Sequence, residues 1–519
     1  MSLAKKGGAR ARTAVVLCAA LLTLIPAALP AQSAPEPMIL SLEDGVRRAL
    51  ENNPDLLVER RNPRIREMEA RIERAAFDST LTAGLTRGET KRPTATTVEA
   101  AIFDVVGLRE SLLQYDLGLQ RNLETGGNLG LTMDVVRSSG LSTVFDPNFN
   151  SQLSLTLTQP LLKGFGFAVA ETPLNVALNN VRLSLEAFEA KVAGLVETVE
   201  NSYWDLVAAR KDLKVKREAK RAAEAVLSEN RERVKLGLMA AIEVLVAEAE
   251  VARQEEDVVL AERSVRDAED RMRQAMNLPP ESWLAEQAIV PTTEPETARA
   301  DVDLRKTVDE ALARRPEVRQ ASLDLENRKM LLNHDQNGLR PGLDFQGSVG
   351  MEGLGRSYHD SFDRMGSGDF YNWQLGMVLT VPIGNRAARS AYRKTRMEME
   401  QSAYGLEKTR QNVVMEVKES VRGVRTDFKR IETTRTARQL AEKKLEAETE
   451  RFKIGLTSTR NLLEFQRDLS AAQSSELAAV VDYNKSLVTL ARTRGTLLED
   501  REIHLSRSEI RFDPKRSMD

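Results

Sequence analysis

Few residues in this 519-residue chain are of kinds that do covalent chemistry, and their spacing gathers none of them into a constellation. Hydrolysis needs a nucleophile, a base and an orienting group in mutual reach. The three histidines, His334, His359 and His504, are scattered. His359-Asp360 lies in a Gly-rich stretch without further ligands at metal-site spacing. Cys18, the one cysteine, sits in an apolar N-terminal run, so the chain after that run has no thiol for a disulfide, a thiolate metal site or a nucleophile. Gly164-Phe165-Gly166 lacks the third glycine of a phosphate loop, and Pro173 follows soon after. These absences point away from an enzyme and imply no cofactor and no bound metal.

Polar chemistry recurs instead in one short motif. Arg233-Val234-Lys235-Leu236-Gly237-Leu238 is echoed by Arg451-Phe452-Lys453-Ile454-Gly455-Leu456. Glycine can take positive φ just past a helix end, and cations favour the negative end of the helix dipole. Each motif therefore reads as the point where a helix stops and the chain reverses. The same residues serve equally as plain C-caps with no partner or as a surface presented to one.

The elements that carry these reversals are long helical hairpins. Leu185, Val192, Val199, Leu206, Leu213, Lys220, Leu227 and Val234 recur every seven residues, with Lys220 breaking the row. After the reversal come Val244, Val251, Val258, Val265 and Met272, flanked by Ala247, Gln254, Ala261, Ala268 and Ala275. A seven-residue apolar repeat keeps one seam against a partner helix, and alanines let backbones approach. No proline interrupts Leu174 to Leu236. With Pro173 that is roughly 64 residues, about 96 Å of helix, far beyond an ordinary globular helix. The hairpins span 173–277 and 386–499.

The rest of the chain falls into an order that repeats. Residues 1–33 read as a signal peptide: Lys5, Lys6, Arg10 and Arg12 precede an apolar run from Ala14 to Leu29, with cleavage expected between Ala31 and Ala34. The first repeat, 34–300, holds a helix over 42–76 with Ser41 as N-cap and breaks at Pro54 and Pro63, strands within 78–161, the first hairpin, and a Pro/Glu/Thr-rich linker at 279–300. The second, 301–500, holds a helix to Asn337, strands within 341–382 and the second hairpin. Leu157-Thr158-Gln159-Pro160-Leu161 is matched by Leu379-Thr380-Val381-Pro382-Ile383. Residues 88–110 read as a long loop, 352–370 as a Gly-rich charged loop, and 501–519 as a charged tail.

The strands alternate strictly. Leu117 and Leu119 are separated by Gly118; Leu129, Leu131, Met133 and Val135 by Gly130, Thr132 and Asp134; Tyr371, Trp373, Leu375 and Met377 by Asn372, Gln374 and Gly376. One apolar and one polar face in an exported chain is the pattern of a membrane β-barrel, with lipid outside and water inside. Apart from the leader, no apolar run reaches the length of a spanning helix. Two to four strands cannot close a barrel, and open edges are not tolerated in lipid, so strands from other copies must complete it. Tyr371 and Trp373 suit an interfacial aromatic belt. Charged residues make up 29% and formal net charge is −2, which suits solvated helix faces and gives no reason to expect nucleic acid as a partner.

The doubled order of helix, strands, proline and long hairpin resembles the TolC family of outer-membrane channels over nearly all of 40–500. The residues that carry it are Gln159-Pro160-Leu161-Leu162-Lys163-Gly164-Phe165-Gly166, Leu379-Thr380-Val381-Pro382-Ile383 and the two Arg-x-Lys-x-Gly-Leu reversals. The resemblance implies an α+β membrane protein. It would be a homotrimer whose strands share one barrel in the outer-membrane lipid and whose coiled-coil hairpins form an α-barrel tunnel in the periplasm. A belt of short helices, linker and C-terminal residues would surround the tunnel. It implies a passive exit duct of a tripartite efflux pump or type I secretion system. An adaptor (membrane fusion protein) would dock on the tips at Arg233, Lys235, Gly237, Leu238, Arg451, Lys453, Gly455 and Leu456, linked to an inner-membrane pump or ABC transporter. The family's acidic periplasmic aperture maps here onto Glu243, Asn461 and Glu464, with Asn461 departing from the acidic pattern. An extra hairpin over 112–138 is a further departure, inside the barrel or beside it. The alternative reading, a periplasmic adaptor or structural coiled coil, accounts for the hairpins but not for the amphipathic strands.

Overall fold

The computed structural model describes residues 37–93, 107–140, 145–284 and 287–504. The expected signal peptide and the end of the tail lie outside the described residues. The order of elements is β1 (Met38–Leu40), α1 (Leu42–Asn52), α2 (Pro54–Glu59), α3 (Asn62–Arg74), β2 (Ser79–Pro93), β3 (Gly107–Asn122), β4 (Asn128–Ser139), β5 (Asn148–Pro160), α4 (Phe167–Ala170), α5 (Thr172–Lys235) and α6 (Ile242–Ala275). There follow α7 (Pro280–Leu284), β6 (Ile289–Pro291), α8 (Leu304–Arg314), α9 (Pro316–Asn337), β7 (Gly342–Gly355), α10 (Tyr358–Gly366), β8 (Tyr371–Thr380), α11 (Arg386–Lys453), α12 (Thr459–Arg494) and α13 (Leu497–Asp500).

Two uninterrupted rods frame the molecule: α5 with 64 residues and α11 with 68. Their returning partners α6 and α12 have 34 and 36, so each descending arm ends about halfway back. Asn277 and Gly495 take positive φ just past those ends, 48° and 79°. The other half of each rod is accompanied by α3 or α9, which Pro63 and Pro316 start afresh. In the hairpin the alanine row lies deepest: Ala247, Ala261, Ala268 and Ala275 are buried, whereas Val244, Val251 and Val258 are only partly covered. Small side chains at the contact let α5 and α6 approach closely, as the seam requires.

A waist forms where the descending arms stop. Its main core joins Val192, Val196, Val199, Tyr203 and Leu206 of α5 to Met272 of α6, Leu40, Ile289 and Leu497. Strands β1 and β6 pair in parallel beside it. Two fully buried tyrosines strap the linker to the rods. Tyr203 donates its hydroxyl to Leu40 O (3.3 Å) and accepts from Thr293 N–H (2.8 Å); Tyr483 donates to Ala298 O (2.7 Å) and accepts from Ala300 N–H (3.0 Å). Ser41 caps α1 as its position suggests, accepting from Asp44 N–H.

Arg501 belongs to the waist: its guanidinium forks onto the wholly buried Glu200, both bonds 2.7 Å.

The strands form one antiparallel sheet in the order β2-β3-β4-β5-β7-β8. Two loop expectations are overturned. Strand β2 runs to Pro93 and β3 starts at Gly107, paired residue by residue up to Pro93↔Gly107, so 88–93 and 107–110 are strand, while 94–106 lies outside the described residues. Between β7 and β8, β7 continues to Gly355 and the nine-residue α10 follows. In both places alternation of apolar and polar residues fades, and a neighbouring strand or sheet face, not local pattern, sets the conformation. The hairpin at 112–138 lies within the sheet: β3 and β4 are its interior strands between β2 and β5.

Register places most apolar strand residues on one face, with Leu112, Val136, Leu354 and Val378 on the other. Leu81, Leu119, Leu131, Leu155, Val349 and Trp373 form one row across the six strands; Ala83, Leu117, Met133, Leu153, Met351 and Tyr371 form the next. Much of this face is bare, with Leu81 73%, Trp373 67% and Met377 69% exposed. Helix α10 covers its upper end, where Gly353 and Gly355 leave room for it: a Cβ at either would strike the backbone around Ser361.

Candidate functional site

The tip begins with the two chain reversals. Gly237 and Gly455 take φ of 71° and 77°. Leu238 N–H donates to Arg233 O (2.8 Å) and Gly237 N–H to Val234 O (3.0 Å); Leu456 N–H donates to Arg451 O (2.9 Å) and Gly455 N–H to Phe452 O (3.1 Å). These are two Schellman caps, which satisfy the last carbonyls of each rod. They drive Leu236, Leu238, Ile454 and Leu456 outward, each between 67% and 75% exposed. Lys235 and Lys453 pair with Glu232 (2.6 Å) and Glu450 (2.7 Å) and stay solvated. The hydrogen bond that Lys453 donates to Glu450 holds its ammonium above its ordinary pKa.

The four cations of the motif do not share one role. Arg233 turns inward across the tip, lying 4.8 Å over the Phe452 ring, donating to Phe452 O (3.3 Å) and pairing with Glu229 (2.5 Å). It ties the first reversal to the second and is only 23% exposed. Arg451 pairs with the buried Glu448 (3.2 Å) and remains 59% exposed. Beneath them a small core holds Phe452, Leu462 and Leu463 against Ala223, Val226 and Ala247.

One residue that the sequence reading passed over connects the starts of both descending helices. Asn230, fully buried on α5, donates to Glu243 O on α6 (3.2 Å) and to Thr459 Oγ1 on α12 (3.0 Å), while its own Oδ1 has no partner among the described residues. The signal was available: Asn230 stands three residues after Leu227 and four before Val234, where the seam calls for an apolar side chain.

The three aperture positions are arranged unequally. Glu243 is half-buried, and its Oε2 is shielded with no hydrogen-bond partner among the described residues. Asn461 is exposed and acts in the cap of α12, with its N–H on Ser458 Oγ (3.5 Å) and its amide on Thr457 Oγ1 (3.3 Å). Glu464 is exposed one turn further on. His359 pairs with Asp363 (3.4 Å) on α10 and His334 with Asp335 (3.3 Å), and no group of three metal-ligating side chains occurs among the described residues.

With two half-length returns, a strapped waist and an amphipathic sheet in place, comparison with known proteins becomes decisive. The family model described as outer membrane efflux protein matches residues 45–278 and 307–496. The chain belongs to that family. It is 22% identical over 404 residues to the outer membrane protein TolC of Vibrio cholerae, covering 77% of this chain and 86% of that one. A membrane protein from Pseudomonas aeruginosa shares the fold with a TM-score of 0.64 at 19% identity, over 88% and 93% of the two chains. The CmeC outer membrane channel of Campylobacter jejuni aligns with a TM-score of 0.60 at 14% identity, over 90% of each. Membership makes this an outer-membrane efflux channel of a Gram-negative cell and not an enzyme, with the long helices on the periplasmic side.

Proposed function

We propose that three copies of this outer membrane efflux protein form a passive duct, closed by lipid-facing strands and continued by their helices. The carrying observation is the six-stranded sheet with a bare apolar face and two edges, β2 and β8, that have no strand partner among the described residues. Edges cannot stay open in lipid, so sister copies must pair with them. Three sheets give a barrel of roughly eighteen strands, in the size range that encloses an aqueous channel. The half-exposed outer rows of α5 and α6 find partners in the same assembly. This also favours a duct over an adaptor, because a free coiled-coil protein has no use for such a sheet.

At the tips, the exposed Leu236, Leu238, Ile454 and Leu456 offer an apolar contact ringed by Lys235, Arg451 and Lys453. That surface suits a periplasmic adaptor coupling the duct to an energised inner-membrane pump or ABC transporter of an efflux or type I secretion system. Gly237 and Gly455 shape it; Arg233 supports it from within. Glu243, Asn461 and Glu464 would line the narrowest part of the tunnel when symmetry copies meet.

Purified protein should run as a trimer in detergent and make planar bilayers conduct; a monomer without conductance sinks the proposal. Leu238→Asp with Leu456→Asp should abolish cross-linking to the adaptor while conductance persists. Undiminished cross-linking would move the docking surface elsewhere. Glu464→Ala should weaken block of single channels by divalent cations, and unchanged block removes Glu464 from the aperture.

A further inference from the structure

We propose that the outer rim of the sheet binds phosphate-bearing lipid headgroups of the outer leaflet through Arg87, Lys91, Arg109 and Arg137. The inference rests on the reading of the apolar face as lipid-facing and adds a ligand to it.

Register decides which charges point outward. Arg87 and Arg137 share a row with Leu113, Phe149 and Gly355; Lys91 and Arg109 face each other in a row further from the helices. All are on the apolar face, and all four cations are exposed. Among the strand residues of that face above Leu85, Glu89 is the single acid, and it bonds Arg109 (2.7 Å); α10, seated on the same end, adds Asp360 beside Gly355 and Asp363, which pairs with His359. Among the described residues no ion pair engages Arg87, Lys91 or Arg137; Arg137 lies 5.9 Å from the Phe149 ring centroid. The opposite, polar face reverses the sign: Asp116, Asp134 and Glu352 fall in one row with Gln152. In these rows Arg87, Lys91, Arg109 and Arg137 fall outward and Asp116, Asp134 and Glu352 inward, with Glu89 the outward exception.

Depth decides what the outward cations meet. On β3 the outward charges are Arg121 near the helices and Arg109 near the far end. They are about 12 residues apart, roughly 41 Å of strand at ~3.4 Å each, or about 31 Å of depth at a tilt of ~40°. Arg87 and Arg137 stand about 8 residues above the Arg121 row, roughly 21 Å of depth. An apolar band about 25 Å tall therefore ends between the two pairs of cations. Arginine and lysine stems are long enough to carry the lower pair to that edge. Tyr358 of α10 packs there on Phe149 (4.5 Å between centroids) and near Tyr115 (6.4 Å), giving the rim a fixed aromatic ledge at headgroup level. Anionic headgroups match the unpaired guanidiniums, which bind phosphate with two parallel donors.

The test uses the full-length channel in mild detergent, with native mass spectrometry of retained lipid. The probes are a bisphosphorylated acylated glucosamine disaccharide and its dephosphorylated counterpart. Wild type should retain the phosphorylated form about tenfold better, and R87Q/K91Q/R109Q/R137Q should lose that preference, given roughly one headgroup attraction per cation. The charge-keeping R87K/R109K/R137K should retain most of it and guards against a folding defect in the neutral variant. Bilayer conductance is recorded for each protein. Equal retention of the two lipids by wild type, or undiminished preference in the neutral variant that still conducts, overturns the lipid site. Loss of conductance by wild type would instead overturn the membrane reading beneath it.

Discussion

The waist and the tip are built from the same helices yet held in opposite ways. At the waist, charges are buried and doubly bonded: Arg501 on Glu200, and Arg315, only 6% exposed, on Glu317 and Glu416. Tyr203 and Tyr483 fasten the linker on either side. At the tip the ion pairs of Lys235 and Lys453 are solvated and the core is a handful of side chains; unmatched buried atoms occur at both ends among the described residues, Asn230 Oδ1 and Glu243 Oε2 at the tip, Asn201 Oδ1 and Arg210 Nε at the waist. What separates the two ends is the smaller core and the solvated ion pairs of the tip, so the tip can rearrange at lower cost than the waist. The difference assigns stability to one end of the hairpins and conformational response to the other.

The sharpest way to break this contrast is Arg501→Ala. It leaves Glu200 buried without its cation and should cost about 3 kcal/mol, the lower end for a broken buried pair because Arg501 is partly solvated. Hydrogen exchange should rise at the waist and stay unchanged at the tip; equal loosening at both ends would erase the distinction.

Acid should act in the same direction with a smaller effect. Burial opposes the charge on Glu317, but Arg315 outweighs it and holds the carboxyl below its ordinary value. A lowered folded pKa means that the stabilisation is complete above about pH 4.5 and is lost as pH falls through the folded value. Thermal melts from pH 6 to 3 should show a steeper loss for wild type than for Glu317→Gln.

Gly455→Ala tests the tip. Its Cβ would meet open space, so only the positive φ is strained, at about 1 kcal/mol. Exchange should rise only in the last turn of α11. Lys235→Gln should be smallest, below about 0.5 kcal/mol, because its partner Glu232 is solvated; a larger loss would mean that the tip is fastened after all.

Much of the architecture was legible before any coordinates, and its limits are specific. Heptad spacing located α5, α6 and the glycine reversals, and strict alternation located β3, β4, β5, β7 and β8, because helix and strand periods are written into neighbouring residues. The ends of β2 and β3 were lost where Gly88, Glu89, Thr90 and Lys91 abandon that alternation, and α10 where a helix is seated by Gly353 and Gly355 of another element. At the tip, the sequence showed that Arg233 and Arg451 occupy matching places but not that Arg233 crosses to Phe452. Asn230 was visible as a polar residue in an apolar seam, yet its partners lie 13 and 229 residues away.

By itself, then, the sequence determined which segments are rods, which are ribbons, where the chain turns and which face of each is apolar. Only the tertiary structure decided that the extra hairpin sits inside the sheet, that Arg501 closes the waist on Glu200 and that Arg87 and Arg137 share one row across the strands. The physical reason is range: periodicity and capping act within a few residues, whereas register, stacking and buried ion pairs join groups that the chain separates by hundreds.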